Sequence, residues 1–137
     1  MKINFEGGFN IAMKIPPEKY NETVAFYRDI LLFDVEEVPI DHPTVLATHR
    51  LTFGPNILWL ECVKELPHQQ IWLEMTTDDV DSSTRYLQTN EVLIADDLEK
   101  IDTNNMHWIK DPAGSVLLLK SKAKGQSDGA PQPDDRA

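Results

Sequence analysis

At 137 residues, with 41% hydrophobic and 26% charged side chains, the chain has the size and composition of one soluble globular domain. Its formal charge of −10 disfavours nucleic acid as a partner, because phosphate binding needs a basic footprint. No apolar run approaches the roughly 18 residues of a membrane span, and the opening MKINFEGG has no apolar export segment. The expectation is therefore a cytoplasmic protein with no membrane contact.

The first elements follow from periodicity. Phe9 to Ile15 alternates as a strand, and Pro16-Pro17 stops it and opens a helix to about Leu31, with Tyr20, Val24, Tyr27 and Leu31 on one face. A strand follows at Asp34 to Val38. Val45 to Phe53 and Ile57 to Val63 then form a hairpin around Gly54-Pro55-Asn56. The single cysteine, Cys62, has no partner for a disulfide and reads as a small buried hydrophobe.

After the polar break Leu66 to Gln70 the order recurs. Ile71 to Thr76 is a strand, and a helix runs from an Asp78 or Asp79 N-cap to about Thr89, ending at Asn90, which tolerates the left-handed conformation. Val92 to Ala95 is a third strand, and Met106 to Lys110 pairs with Ser115 to Lys120 across the Asp111-Pro112 turn. The result is βαβββ written twice, an α+β domain over residues 1 to 120 with modules at about 8–63 and 70–120. Residues 121–137, SKAKGQSDGAPQPDDRA, lack aromatic and branched aliphatic side chains and should be a disordered tail. Charges cancel within that tail, so the acidic excess belongs to the folded body, where it attracts cations.

Three segments, AFYRDILLFDVEE (Ala25 to Glu37), IWLEMTTDDVDSSTRYLQTNEV (Ile71 to Val92) and DPAGSVLLL (Asp111 to Leu119), together resemble the vicinal-oxygen-chelate superfamily. That group holds glyoxalase I, extradiol dioxygenases, fosfomycin-resistance enzymes and bleomycin-resistance proteins. The resemblance covers roughly residues 8 to 121. It implies two βαβββ modules in a curled mixed sheet around a cleft, the glyoxalase/bleomycin-resistance fold, and a homodimer. In metal-dependent members it also implies one ligand on the first and last strand of each module.

On this chain those four positions fall at Asn10, Glu61, Trp72 and Leu118. Asn is a poor ligand for Fe, Mn, Ni or Zn, glutamate is acceptable, and Trp and Leu cannot coordinate. No metal and no other cofactor is therefore expected. Strand alternation places Ala12, Lys14, Trp59, Glu74 and Val116 on the same face, and the resemblance implies that Trp108, three residues before the Asp-Pro turn, joins them with Met106 beside it. All three tryptophans with Glu61 and Glu74 suit a flat or cationic organic ligand, held by stacking, cation-π contacts and charge.

Lys14 and Arg50 have two readings: they pair with Glu61 or Glu74, or they meet the ligand. His107 alternates away from Trp108, His42 and His68 fall in loops, and His49 points away if Thr48, Arg50 and Thr52 face Trp59 and Glu61. The expected function is a metal-free small-molecule binding protein that sequesters such a ligand in the bleomycin-resistance manner, with no catalytic residue identified. The alternative is a lyase, isomerase or dioxygenase with a relocated metal set, Glu61 and Glu74 with His49 or Asn10.

Overall fold

The computed structural model describes residues 3–101 and 105–122. It is an α+β fold whose seven strands form mixed parallel and antiparallel pairs. The chain divides into two compact units: one is Phe9–Ile71, the other the described residues before Phe9 and after Ile71.

In the Phe9–Ile71 unit, strand β1 (Phe5–Ile15, of which Phe9 onward lies here) leads into helix α1 (Pro17–Ala25), followed by β2 (Glu36–Val38), β3 (Val45–Phe53) and β4 (Asn56–Val63). The strand order is β2-β3-β4-β1, with β1 parallel to β4 and the other pairs antiparallel. Pro16 is extended and Pro17 takes the first helical position, where a missing N–H is harmless. Tyr20 and Val24 pack on Ile15, Leu51, Leu58, Leu60 and Cys62, so the cysteine is buried as its lack of partners implies.

The helix does not run regularly to Leu31. Phe26–Ile30 forms a π-helical turn, closed by Leu31 N–H donating to the Phe26 carbonyl. One extra residue in a turn rotates the residues after it by about 100°. Leu31 accordingly leaves the face it was expected to share with Tyr20 and Val24 and is exposed, as is Ile30. Leu32 takes φ 65°, the left-handed conformation that the superfamily resemblance implies just past the first helix, with its side chain in solvent.

In the other unit, the first residues of β1 lie beside β5 (Gln70–Thr77), where Thr76 Oγ1 donates to the Glu6 carbonyl. Helix α2 (Val80–Thr89) comes next, then β6 (Met106–Lys110) and β7 (Val116–Ser121), with β7 parallel to β5 and antiparallel to β6. Asp79 is the N-cap of α2: its carboxylate accepts from Asp81 and Ser82 N–H, which holds its pKa below the usual carboxylate value. At the other end Asn90 keeps a negative φ, and it is Glu91 that turns left-handed, at 67°. That corrects the assignment to Asn90.

The expected strand Val92 to Ala95 is reduced to one bridge between Ile94 and Ile109, with Ala95 N–H donating to the Trp108 carbonyl. The next residue diverts the chain. Asp96 folds onto β6 to accept from the Trp108 N–H and to pair with His107, so no ladder continues. Strand β2 is likewise three residues rather than the five expected from Asp34. Ser121 is still in β7, Lys122 N–H donates to the Thr77 carbonyl, and its ammonium pairs with Glu6. The remainder of the expected tail, 123–137, lies outside the described residues. Among the described residues no helix is long and apolar enough to cross a membrane.

Relieving the strained helix end should stabilise the protein. Leu32→Gly is expected to gain about 1 kcal/mol in chemical denaturation, since the leucine buries little and only glycine adopts this φ without penalty.

Candidate ligand-binding faces

In the Phe9–Ile71 unit, strand register arranges side chains of one sheet face in cross-strand rows. One row is Val38, Thr48, Glu61 and Lys14, read across β2, β3, β4 and β1. The next, two residues along each strand, is Glu36, Arg50, Trp59 and Ala12. Lys14 is 1% exposed, and its ammonium pairs with the Glu61 carboxylate at 2.5 Å. Arg50 pairs with Glu36 at 2.7 Å, and its guanidinium lies over the Trp59 indole, 5.6 Å from the centroid. Trp59, with no exposed surface, donates its indole N–H to Asn10 Oδ1 at 2.7 Å. Asn10, Lys14, Trp59 and Glu61 are thus brought together as the alternation implies, and both cations of this face take pairing partners.

The opposite face of the same strands meets α1. There Tyr20 donates its hydroxyl proton to the Leu60 carbonyl, so the 2.8 Å contact with His49 requires Nδ1–H of the imidazole as donor to the Tyr20 oxygen. Burial, helped by the nearby Cys62 and Glu61, pushes the Tyr20 pKa up. Burial also lowers that of His49, against the opposing pull of Glu37. His49 therefore sits away from Glu61, as expected if Thr48 and Arg50 share that residue's face.

In the other unit Trp72 and Trp108 pack edge to face, centroids 4.9 Å apart, over the row Glu74, Leu118 and Trp108. The Trp108 indole N–H donates to the Glu99 carbonyl at 2.9 Å. Glu74 pairs with Lys120 at 3.3 Å, both buried. Lys120 was not among the expected site residues, although period two places it next after Leu118 on the same face, opposite Met106. Gly8 belongs here as well: any Cβ on it would collide with the Glu74 carboxylate, so the strand backbone itself forms part of the carboxylate's cradle. His107 is bound to Asp96, His42 Nδ1 accepts from the Thr44 and Val45 N–H groups, and His68 is exposed.

No protein-family model matches the chain, and neither does any curated protein. Solved structures do match. Methylmalonyl-CoA epimerase from Mycobacterium tuberculosis is similar at TM-score 0.57 and 17% identity, covering 87% of this chain and 89% of its own. A glyoxalase/bleomycin resistance protein/dioxygenase superfamily member from Vibrio splendidus 12B01 is similar at TM-score 0.55 and 16% identity, covering 82% of this chain and 97% of its own. The Mn(II)-bound glyoxalase from Novosphingobium aromaticivorans is similar at TM-score 0.60 and 13% identity over 88% of this chain, which spans 40% of that longer one. The chain has the glyoxalase/bleomycin-resistance fold.

The residues at the four positions where the superfamily resemblance implies metal ligands do not fit a metal. Asn10 Oδ1 accepts from an indole, Glu61 is paired with an ammonium, and Trp72 and Leu118 offer no donor. Among the described residues no group of three or more His, Cys, Asp or Glu converges on a point.

Lys14→Met leaves a buried carboxylate without its ammonium and should cost about 3 kcal/mol or more, while Lys14→Met with Glu61→Leu recovers most of the loss in urea denaturation. His49 has a folded pKa below its unfolded value, so its contribution is present above the unfolded value and lost as pH falls through the folded one. Denaturation at pH 7 and pH 5 should show stability falling towards acid. His49→Asn, which keeps a donor to Tyr20 but cannot titrate, should flatten that fall.

Proposed function

We propose that the protein is a metal-free small-molecule binding protein that holds a flat organic ligand, cationic or neutral, in the manner of the bleomycin-resistance proteins. What supports this reading is the indoles and ion pairs found at and beside the four positions where the resemblance implies metal ligands. Asn10, Lys14, Trp59 and Glu61 serve it in one unit, and Trp72, Glu74, Met106, Trp108 and Leu118 in the other. The guanidinium over Trp59 is already a planar cation on an aromatic face, the kind of contact such a ligand makes. Because Glu61 and Glu74 have lysine partners, stacking supplies most of the affinity and charge sets a preference.

An enzyme of the same fold is the other reading, favoured by the epimerase and glyoxalase activities of the neighbours. Its relocated metal set has little support, since His49 is turned to Tyr20 on the opposite face from Glu61. The binding reading goes with a homodimer, for which the exposed apolar run of Phe26, Ile30, Leu31 and Leu32 is the supporting feature. Light scattering should return twice the chain mass.

A fluorescence screen of planar cationic and neutral aromatic compounds tests the proposal, with elemental analysis of protein purified without chelator. The chain has three tryptophans, and a stacked ligand should quench most of their emission. Trp72→Ala should weaken binding by about 1–2 kcal/mol, and Glu74→Gln by about 1 kcal/mol for cationic compounds only. One Fe, Mn, Ni or Zn per chain, or tighter binding of anionic compounds, would overturn it.

A further inference from the structure

Where the chain from Val92 to Ala95 fails to form a ladder, it leaves a cavity. The cavity measures about 660 Å³ and lies between residues 90–98 and the start of the Asp111-Pro112 turn. That volume is within the roughly 300–1,000 Å³ of small-molecule pockets. Both walls are held in place. On one side Ile94 is bridged to Ile109, Ala95 N–H donates to the Trp108 carbonyl and Leu98 N–H to the Ala95 carbonyl. On the other, the Asp111 carboxylate accepts from the Ala113 and Ser115 N–H groups and fixes the turn.

The lining has two characters. Val92, Leu93, Ile94, Leu98 and Pro112 are apolar and saturated, and no aromatic side chain is among the described residues that line the cavity. Leu93 is 82% exposed, so its apolar surface is left open to a ligand. The charged residues of the lining are Glu91, Asp97, Asp111 and Lys110, so carboxylates outnumber ammonium groups three to one. The turn engages the Asp111 carboxylate, whereas those of Glu91 and Asp97 have no hydrogen bond or ion pair among the described residues.

We propose that this cavity is a further small-molecule site, which takes a compact aliphatic ammonium compound. It is separate from the flat-ligand reading and stands without it. The saturated body of such a compound covers the branched side chains, which have no π face to reward a planar ring. Its ammonium meets the Glu91 and Asp97 carboxylates, in the field of a chain whose formal charge is −10. A neutral compound of the same shape gains only the apolar contact. An anion meets one ammonium at Lys110 and is repelled by three carboxylates.

The test titrates 1-adamantylamine, 1-adamantanol and adamantane-1-carboxylate, one saturated cage with three charges, into the protein while backbone amide signals are followed by NMR. The amine should bind about fivefold more tightly than the alcohol at low salt, with the carboxylate weakest, and salt should narrow the gap. Shifts should concentrate in residues 91–98 and at Lys110 and Asp111. The double variant Glu91→Gln with Asp97→Asn changes two exposed carboxylates and keeps the apolar lining. It should bind the amine and the alcohol alike, its own spectrum reporting that the fold is intact. Failure of all three compounds to bind wild type, a carboxylate that binds as tightly as the amine, or shifts centred elsewhere would each overturn the proposal. So would an amine preference that survives in the double variant.

Discussion

A buried ammonium must have a counter-charge, and much of the organisation of this protein answers that demand. Lys14 and Glu61 meet on neighbouring parallel strands at matched register, and Lys120 reaches Glu74 in the other unit. An unpaired charge at either position would cost several kcal/mol, more than most single contacts provide. The register of β1 on β4 is therefore specified twice: by the apolar residues packed under α1 and by the ion pair on the reverse face. A slip of one residue would move Lys14 into the apolar cluster and separate it from Glu61.

The same pairs decide the chemistry available. A carboxylate that accepts from an ammonium is not a vacant metal ligand, and Asn10 is engaged by the Trp59 indole. On the faces described, this chain carries aromatic rings and internally neutralised charges. The charges at these positions are balanced within the protein by ion pairs.

Among the described residues, non-glycine left-handed backbone occurs at the ends of both helices and at Glu65, just after β4. The first helix widens into a π-helical turn and ends on a left-handed leucine, and the second ends on a left-handed glutamate. Both residues project into solvent, so packing does not depend on their side chains. Backbone geometry dictated by the next strand outweighs residue preference there.

Alternation and punctuation in the sequence determined the fold class, six of the seven strands to within a residue or two at most ends, a cap at Asp78 or Asp79, and the shared face of Trp59 with Glu61 and of Trp72 with Glu74. These depend on neighbours along the chain, through period two and helix-end rules. Tertiary structure decided what depends on distant residues. The partners of Lys14, Arg50 and Lys120, the orphaned hydroxyl of Thr48 and the side of β3 taken by His49 come from pairing register rather than from any local pattern. The π-helical turn and the loss of the Val92 to Ala95 strand have the same origin: a hydrogen bond to a residue one turn away, or a dozen residues on, competes with the regular ladder and wins.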